Sequence, residues 1–90
     1  MTTLQIRTRD NLLDLLLKGQ SADWKVGQGK EQEITYVEIV NFAGSQRIEA
    51  KFDPENSYRL DNGRLVVAFT DGRIVNCQVS FDAQNSLRYL

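Results

Sequence analysis

Residues 34 to 53 read ITYVEIVNFAGSQRIEAKFD, in which two alternating stretches flank Gly44-Ser45. A period of two is typical of β-strands, and glycine followed by serine suits a two-residue hairpin turn. We therefore predict antiparallel strands at residues 34–42 and 46–53. The same pattern recurs downstream, so further strands are predicted at 57–61, 64–70 and 73–81, separated by turn residues.

Strand 34–42 is apolar on both faces. A three-residue loop between these strands would swap the two rows of side chains. A two-residue turn at Gly44-Ser45 directs Val37 and Ile39 into the core and places Glu38 opposite Lys51. The other apolar row then faces outward, where either the N-terminal helix or another protein chain must cover it. Apolar side chains rimmed by charges are typical of a protein-binding patch. The predicted contact surface consists of Tyr36, Val40, Phe42, Arg47 and Lys51.

Two later turns set the register of the last strands. Asn62-Gly63 is typical of a two-residue type I′ turn, which places Tyr58 in the core row. At Asp71-Gly72 a three-residue loop with its glycine left-handed is favoured, because that register directs Val75 and Cys77 inward. We therefore expect Cys77 to be buried and unreactive.

A helix is predicted from Thr8 to Lys18. Thr8 or Asp10 can serve as its N-cap, and Gly19 can take the left-handed position that follows the last turn. The helix carries leucines at positions 12, 13, 15, 16 and 17, whose wide arc predicts deep burial. Short strands are predicted on either side of the helix, at 4–6 and 24–26.

These elements predict one α+β domain over residues 1–90: a short N-terminal helix packed on a curled antiparallel β-meander of four to six strands. A small SH3-like open barrel is the alternative. The predicted core is the set that alternation and helical spacing place together. It consists of Leu12, Leu16, Val37, Ile48, Phe52, Leu65, Val67, Phe69, Val75 and Val79.

The composition excludes several kinds of chemistry. The chain has no histidine and one cysteine, so it can form neither a Ser/His/Asp triad nor a zinc site of Cys and His ligands. Eleven basic against twelve acidic residues give a net charge of −1, which provides no general attraction to nucleic acid. No apolar run approaches the length of a membrane span. We expect a cytoplasmic protein with no cofactor and no metal.

Other side chains of chemical interest have ordinary structural interpretations. The Gly27-Gln28-Gly29-Lys30 loop lacks the spacing of a phosphate-binding P-loop, and the 53–56 segment suits a plain turn better than a calcium site. Asp61 and Asp71 are typical turn residues, although catalysis by carboxylate, Lys or Tyr groups stays open.

Three functions follow from these observations. A non-catalytic protein-interaction module or assembly subunit, which could be a homodimer, is favoured because strand 34–42 carries more apolar surface than one helix covers. A polyanion-binding barrel is the first alternative and requires Lys25, Arg59, Arg64 and Arg73 on one face. An enzyme using carboxylate, Lys or Tyr groups is the second and requires an enclosed pocket.

Overall fold

The computed structural model describes residues 1–81 and 85–90. In chain order, the elements are β1 (Thr2–Thr8), α1 (Leu12–Lys18), β2 (Gln20–Trp24), a 3₁₀ helix (Lys30–Glu33), β3 (Ile34–Asn41), β4 (Gln46–Phe52), β5 (Tyr58–Arg59), β6 (Leu65–Asn76) and β7 (Leu87–Tyr89). Within these ranges, no helix is long and apolar enough to cross a membrane.

The strands form one curled sheet in the order β2-β6-β4-β3-β1-β7, with β5 also paired to β6. This confirms a mostly β fold with a short helix, consistent with an α+β domain or an open barrel. The purely antiparallel meander of four to six strands is wrong, because the described sheet has seven strands and β1 pairs with β3 in parallel. A parallel pair needs a long crossover connection, which residues 9–33 provide.

Helix α1 is shorter than predicted and begins at Leu12. Its N-cap is Asn11, whose Oδ1 accepts the Asp14 N–H at 3.1 Å. The helix begins later than predicted because β1 keeps the chain extended through Thr8. The C-terminal prediction is confirmed: Gly19 is left-handed, with φ at 71°. The prediction that all five leucines are deeply buried is wrong, since Leu13 and Leu17 face solvent.

The β3–β4 loop contains four residues, 42–45, rather than two. The Asn41 Oδ1 accepts the backbone N–H groups of Ser45 and Gln46 and thereby closes this loop. Glu38 consequently faces Glu49, so its predicted pairing with Lys51 is wrong. A shift of two residues preserves the face of each side chain, and the predicted burial of Val37 and Ile39 is confirmed.

The β5–β6 turn is one residue longer than predicted. Arg59 pairs with Leu65, the Leu60 N–H donates to the Arg64 carbonyl at 2.8 Å, and Gly63 has a φ of 83°. This odd shift in register reverses the face on which Tyr58 lies. Tyr58 is 51% exposed, so its predicted place in the core is wrong.

The predicted strands 64–70 and 73–81 are joined in β6, which continues through Asp71-Gly72 without a hairpin. Asp71 has a φ of 55°, and the pairing with β4 shifts register at this point, as in a β-bulge. The extra residue makes Ile74, rather than Val75, pack against the core. A Cβ at position 72 would lie 2.8 Å from the Leu16 side chain, so this glycine lets α1 approach the sheet closely.

The core lies between the inner face of the sheet and helix α1. Seven of the ten predicted core residues are buried there, and Leu16 packs against them half-buried. Val75 and Val79 are half-buried outside this cluster, so their predicted place in it is wrong. Cys77 is also only half-buried. The core cluster consists of Leu4, Ile6, Leu12, Leu15, Val26, Ile34, Val37, Ile39, Ile48, Ala50, Phe52, Leu65, Val67 and Phe69.

Candidate protein-binding surface

The outer face, on the side of the sheet away from α1, carries a polar row across five strands. The register aligns Arg88, Gln5, Glu38, Glu49 and Arg73. Arg88 Nε donates to the Gln5 side chain at 2.6 Å, and Gln5 Nε2 donates to Glu38 Oε1 at 2.8 Å. At the other end of the row, Arg73 lies 3.7 Å from Glu49. These contacts keep the face polar and ordered around its apolar residues.

Strand β3 and the loop after it place Tyr36, Val40 and Phe42 along this outer face. Tyr36 is 42% exposed and Phe42 is 48% exposed, whereas Val40 is fully buried outside the core cluster. Val40 is aligned with Arg7 on β1 and Arg47 on β4, so it lies between two long side chains. Helix α1 packs on the opposite face and does not cover this row. The accessible apolar residues of the row are therefore Tyr36 and Phe42.

The two predicted basic residues of the surface have different environments. Arg47 is half-buried and donates to Glu49 Oε1 at 3.1 Å. Burial opposes its charge, but the hydrogen bond to Glu49 and the charges of Glu38 and Glu49 raise the pKa of Arg47 overall. Lys51 is exposed and lies 3.5 Å from Asp71. An exposed pair of this kind adds little stability, so the Lys51 ammonium can exchange partners readily.

An arginine–phenylalanine cluster lies at the Phe42 end of the predicted surface. It consists of Arg7, Arg9, Arg88, Phe42 and Phe81. The guanidinium carbons of Arg7 and Arg9 lie 4.5 and 4.2 Å from the centroid of the Phe42 ring. Arg7 also lies 5.5 Å from the Phe81 ring, and Arg88 lies 4.4 Å from that ring. These distances are typical of cation–π contacts, which orient the guanidinium planes.

The segment after β6 brings Phe81 to this cluster. It follows the β3–β4 loop, where the Cys77 and Val79 N–H groups donate to the Ser45 and Gly44 carbonyls at 2.9 and 3.0 Å. The approach is so close that a Cβ at Gly44 would collide with the Val79 carbonyl oxygen. The chain's own backbone thus fixes one border of the surface.

Sequence reasoning missed the arginine–phenylalanine cluster. The polar residues Gln5 and Arg7 alternate with apolar ones on β1, and Arg88 lies between Leu87 and Tyr89. This alternation marks them as outward-facing. It does not indicate that β1 lies between β3 and β7, and only that order brings the five side chains together.

The four basic residues required for a polyanion site do not form one face. Arg59 donates to the backbone carbonyls of residues 26, 27 and 63 and forms an ion pair with Glu31. Lys25 and Arg64 border the same depression as Arg59, whereas Arg73 lies beside Glu49 on the outer face. Arg59 therefore stabilises the segment that leads into the 3₁₀ helix, and both of its Nη groups already donate within the chain.

The remaining residues of chemical interest occupy structural positions. Asp61 lies in the β5–β6 turn, and Asp71 lies in the β6 bulge beside Lys51. Asp53 accepts the Asn56 amide at 2.7 Å within its turn, and the Cys77 thiol lies 3.4 Å from the Gly44 carbonyl oxygen. Among residues 1–81 and 85–90, no group of three acidic or cysteine side chains is arranged to hold a metal ion.

Comparison of the chain with protein-family models, with curated proteins and with solved structures finds no match.

Proposed function

We propose that this chain is a small non-catalytic protein-interaction module, or a subunit of a larger assembly, that binds another protein chain through its outer face around Phe42. The exposure of Phe42 carries the proposal. About half of this aromatic side chain faces solvent, although Arg7 and Arg9 lie against its ring. Aromatic and arginine side chains are enriched at protein interfaces, and arginine is prominent among the residues that dominate binding energy.

The surface extends from Phe42 to Tyr36 along the outer face of β3. Near Tyr36 it includes a shallow groove of about 330 Å³. The groove is bordered by the basic residues Lys51 and Arg73 and by the acidic residues Glu38, Glu49 and Asp71. Two exposed aromatic side chains near a charged row resemble the apolar centre and polar rim of a non-obligate interface. This arrangement supports a protein partner.

The two alternative functions have less support. A polyanion-binding barrel needs accessible basic side chains on one face, and Arg59 is already held by three carbonyls and Glu31. An enzyme needs converging polar groups in an enclosed pocket, whereas the groove beside Tyr36 is shallow and Asp71 lies beside Lys51. The proposal includes a reducing, cytoplasmic setting, because one cysteine forms no internal disulfide.

Photo-crosslinking tests the proposed surface. A benzoylphenylalanine replaces Phe42 in one variant and Tyr58, on β5, in a matched control, since both natural side chains are about half exposed. Each variant is expressed in the native cells and irradiated. The proposal expects a discrete product at position 42 that is absent at position 58. Its mass distinguishes a different protein from a second copy of this chain, and both results support a protein contact.

The same experiment can contradict the proposal. Absence of a position-specific product, or identical products from positions 42 and 58, would show that the Phe42 face has no dedicated protein partner. As a control for specificity, an excess of the chain without benzoylphenylalanine must suppress the product at position 42, because a specific surface saturates.

A further inference from the structure

We infer that the arginine–phenylalanine cluster binds the carboxylates of an acidic peptide segment on the partner; this inference rests on the proposed function. Arg7, Arg9 and Arg88 place three guanidinium groups around two phenylalanine rings. Stacking on the rings holds the guanidinium planes. The Nε of Arg88 already donates to Gln5 and the Nε of Arg7 is buried, so the edges formed by the Nη groups of these two arginines remain as donors. Such edges match the geometry of a carboxylate and bind it through paired hydrogen bonds.

Charge pairing distinguishes these arginines from the others on the sheet. Arg47 and Arg73 both contact Glu49, and Arg59 contacts Glu31. Within residues 1–81 and 85–90, no carboxylate lies within ion-pair distance of any cluster arginine. The Nε of Arg7 is buried and has no hydrogen-bond partner among those residues, which is also true of the Nε of Arg47. The described cluster therefore gathers three positive charges without an acidic counterpart.

The surroundings favour a short acidic peptide over a nucleic acid. The cluster guanidiniums already lie over the faces of Phe42 and Phe81, which limits stacking of bases on those rings. The adjoining polar row carries Glu38 and Glu49, and the chain as a whole has a net charge of −1. An extended phosphate backbone would meet these charges as it left the cluster, whereas a few neighbouring carboxylates need only the three arginines.

The inference predicts binding of a defined probe, hexaglutamate. In NMR titrations, the side-chain Nε–Hε signals of Arg9 and Arg88 should shift on addition of hexaglutamate, and that of Arg64 should not. Affinity should fall as NaCl rises from about 50 to about 200 mM. Arg9→Gln is the main variant because Arg9 is exposed, and it should weaken binding about tenfold. Arg64→Gln, at an exposed arginine outside the cluster, should leave it unchanged.

Further variants keep the test independent of folding. Phe42→Leu keeps an apolar side chain but removes the ring that orients two arginines, so it too should weaken binding. Asp82 follows Phe81 in the sequence and lies outside the described residues. Asp82→Asn should bind hexaglutamate at least as tightly as the natural chain, because it removes the negative charge that follows Phe81 in the sequence.

Three results would overturn the inference. They are equal affinity in Arg9→Gln and Arg64→Gln, weaker binding in Asp82→Asn, and tighter binding of a ten-residue oligothymidylate or of inorganic phosphate than of hexaglutamate. The proposed function fails separately: hexaglutamate binding that behaves as expected, without a position-specific crosslink at position 42, would keep the anion site while rejecting the protein contact.

Discussion

At Gly44, two segments of the backbone approach each other closely. Its φ is 76°, and a Cβ there would collide with the Val79 carbonyl oxygen, whereas a Cβ at Gly63, with φ at 83°, would meet nothing within 4 Å. The two glycines share the left-handed conformation and differ in their surroundings. The sequence indicates turns at both, but the close approach at Gly44 depends on the path of residues 77–81.

Substitution of these glycines separates conformational strain from crowding. Gly63→Ala should lower the free energy of unfolding by about 1–2 kcal/mol through strain alone. Gly44→Ala should lower it by about 1–3 kcal/mol more, because the collision adds to the strain. Urea titration of both variants measures the difference. Equal losses would show that the 77–81 segment does not pack against the loop as described.

Phe69 is a core residue whose position the sequence predicted correctly. It is buried against β4, which its alternation with Leu65 and Val67 indicated. Phe69→Ala should lower the free energy of unfolding by about 3–5 kcal/mol in a two-state urea titration. The matched variant Tyr58→Ala, at a half-exposed side chain, should lose less. A loss below about 1 kcal/mol for Phe69→Ala would contradict the assignment of the inner face.

At the scale of elements, β3 and β4 were predicted better than the connections that follow them, whereas β2 lies at Gln20–Trp24 instead of the predicted 24–26 and β7 was not predicted. The hydrophobic alternation located β3 and β4 to within a residue or so, because it reports which side chains are buried. It does not report loop length, and the Asp71-Gly72 pair, which is typical of a hairpin, forms a bulge instead. Pairing with β4 on both sides of this position, from Phe69 to Asn76, outweighs the local turn preference.

The beginning of helix α1 provides a test at the same scale. Thr8, Asp10 and Asn11 can all cap a helix, and only Asn11 does so. Asn11→Ala should lower the free energy of unfolding by about 1 kcal/mol and the thermal midpoint by about 4–8 °C. Asp10→Ala, one residue earlier on the exposed surface, should change it by less than about 0.5 kcal/mol. If calorimetry ranked the two variants in the opposite order, the assignment of Asn11 as the N-cap would be wrong.

At the scale of the whole molecule, the sequence did not reveal which strands are neighbours. The parallel pairing of β1 with β3 joins residues about thirty positions apart, and no local pattern encodes it. This pairing brings Arg7 to Phe42, and the pairing of β1 with β7 brings in Arg88. The sequence of residues 34–42 alone therefore indicated the exposure of Tyr36 and Phe42, whereas it did not indicate the arginines around Phe42.

The most direct test of the central claim uses the protein that crosslinks at position 42. Capture of this protein is measured for the purified Phe42→Ser and Tyr58→Ser variants, together with the thermal midpoint of each variant. We expect Phe42→Ser to abolish capture while its midpoint falls by less than about 4 °C, and Tyr58→Ser to retain capture. Capture that survives in Phe42→Ser, or a midpoint that falls by more than about 10 °C in that variant, would contradict a contact role for Phe42.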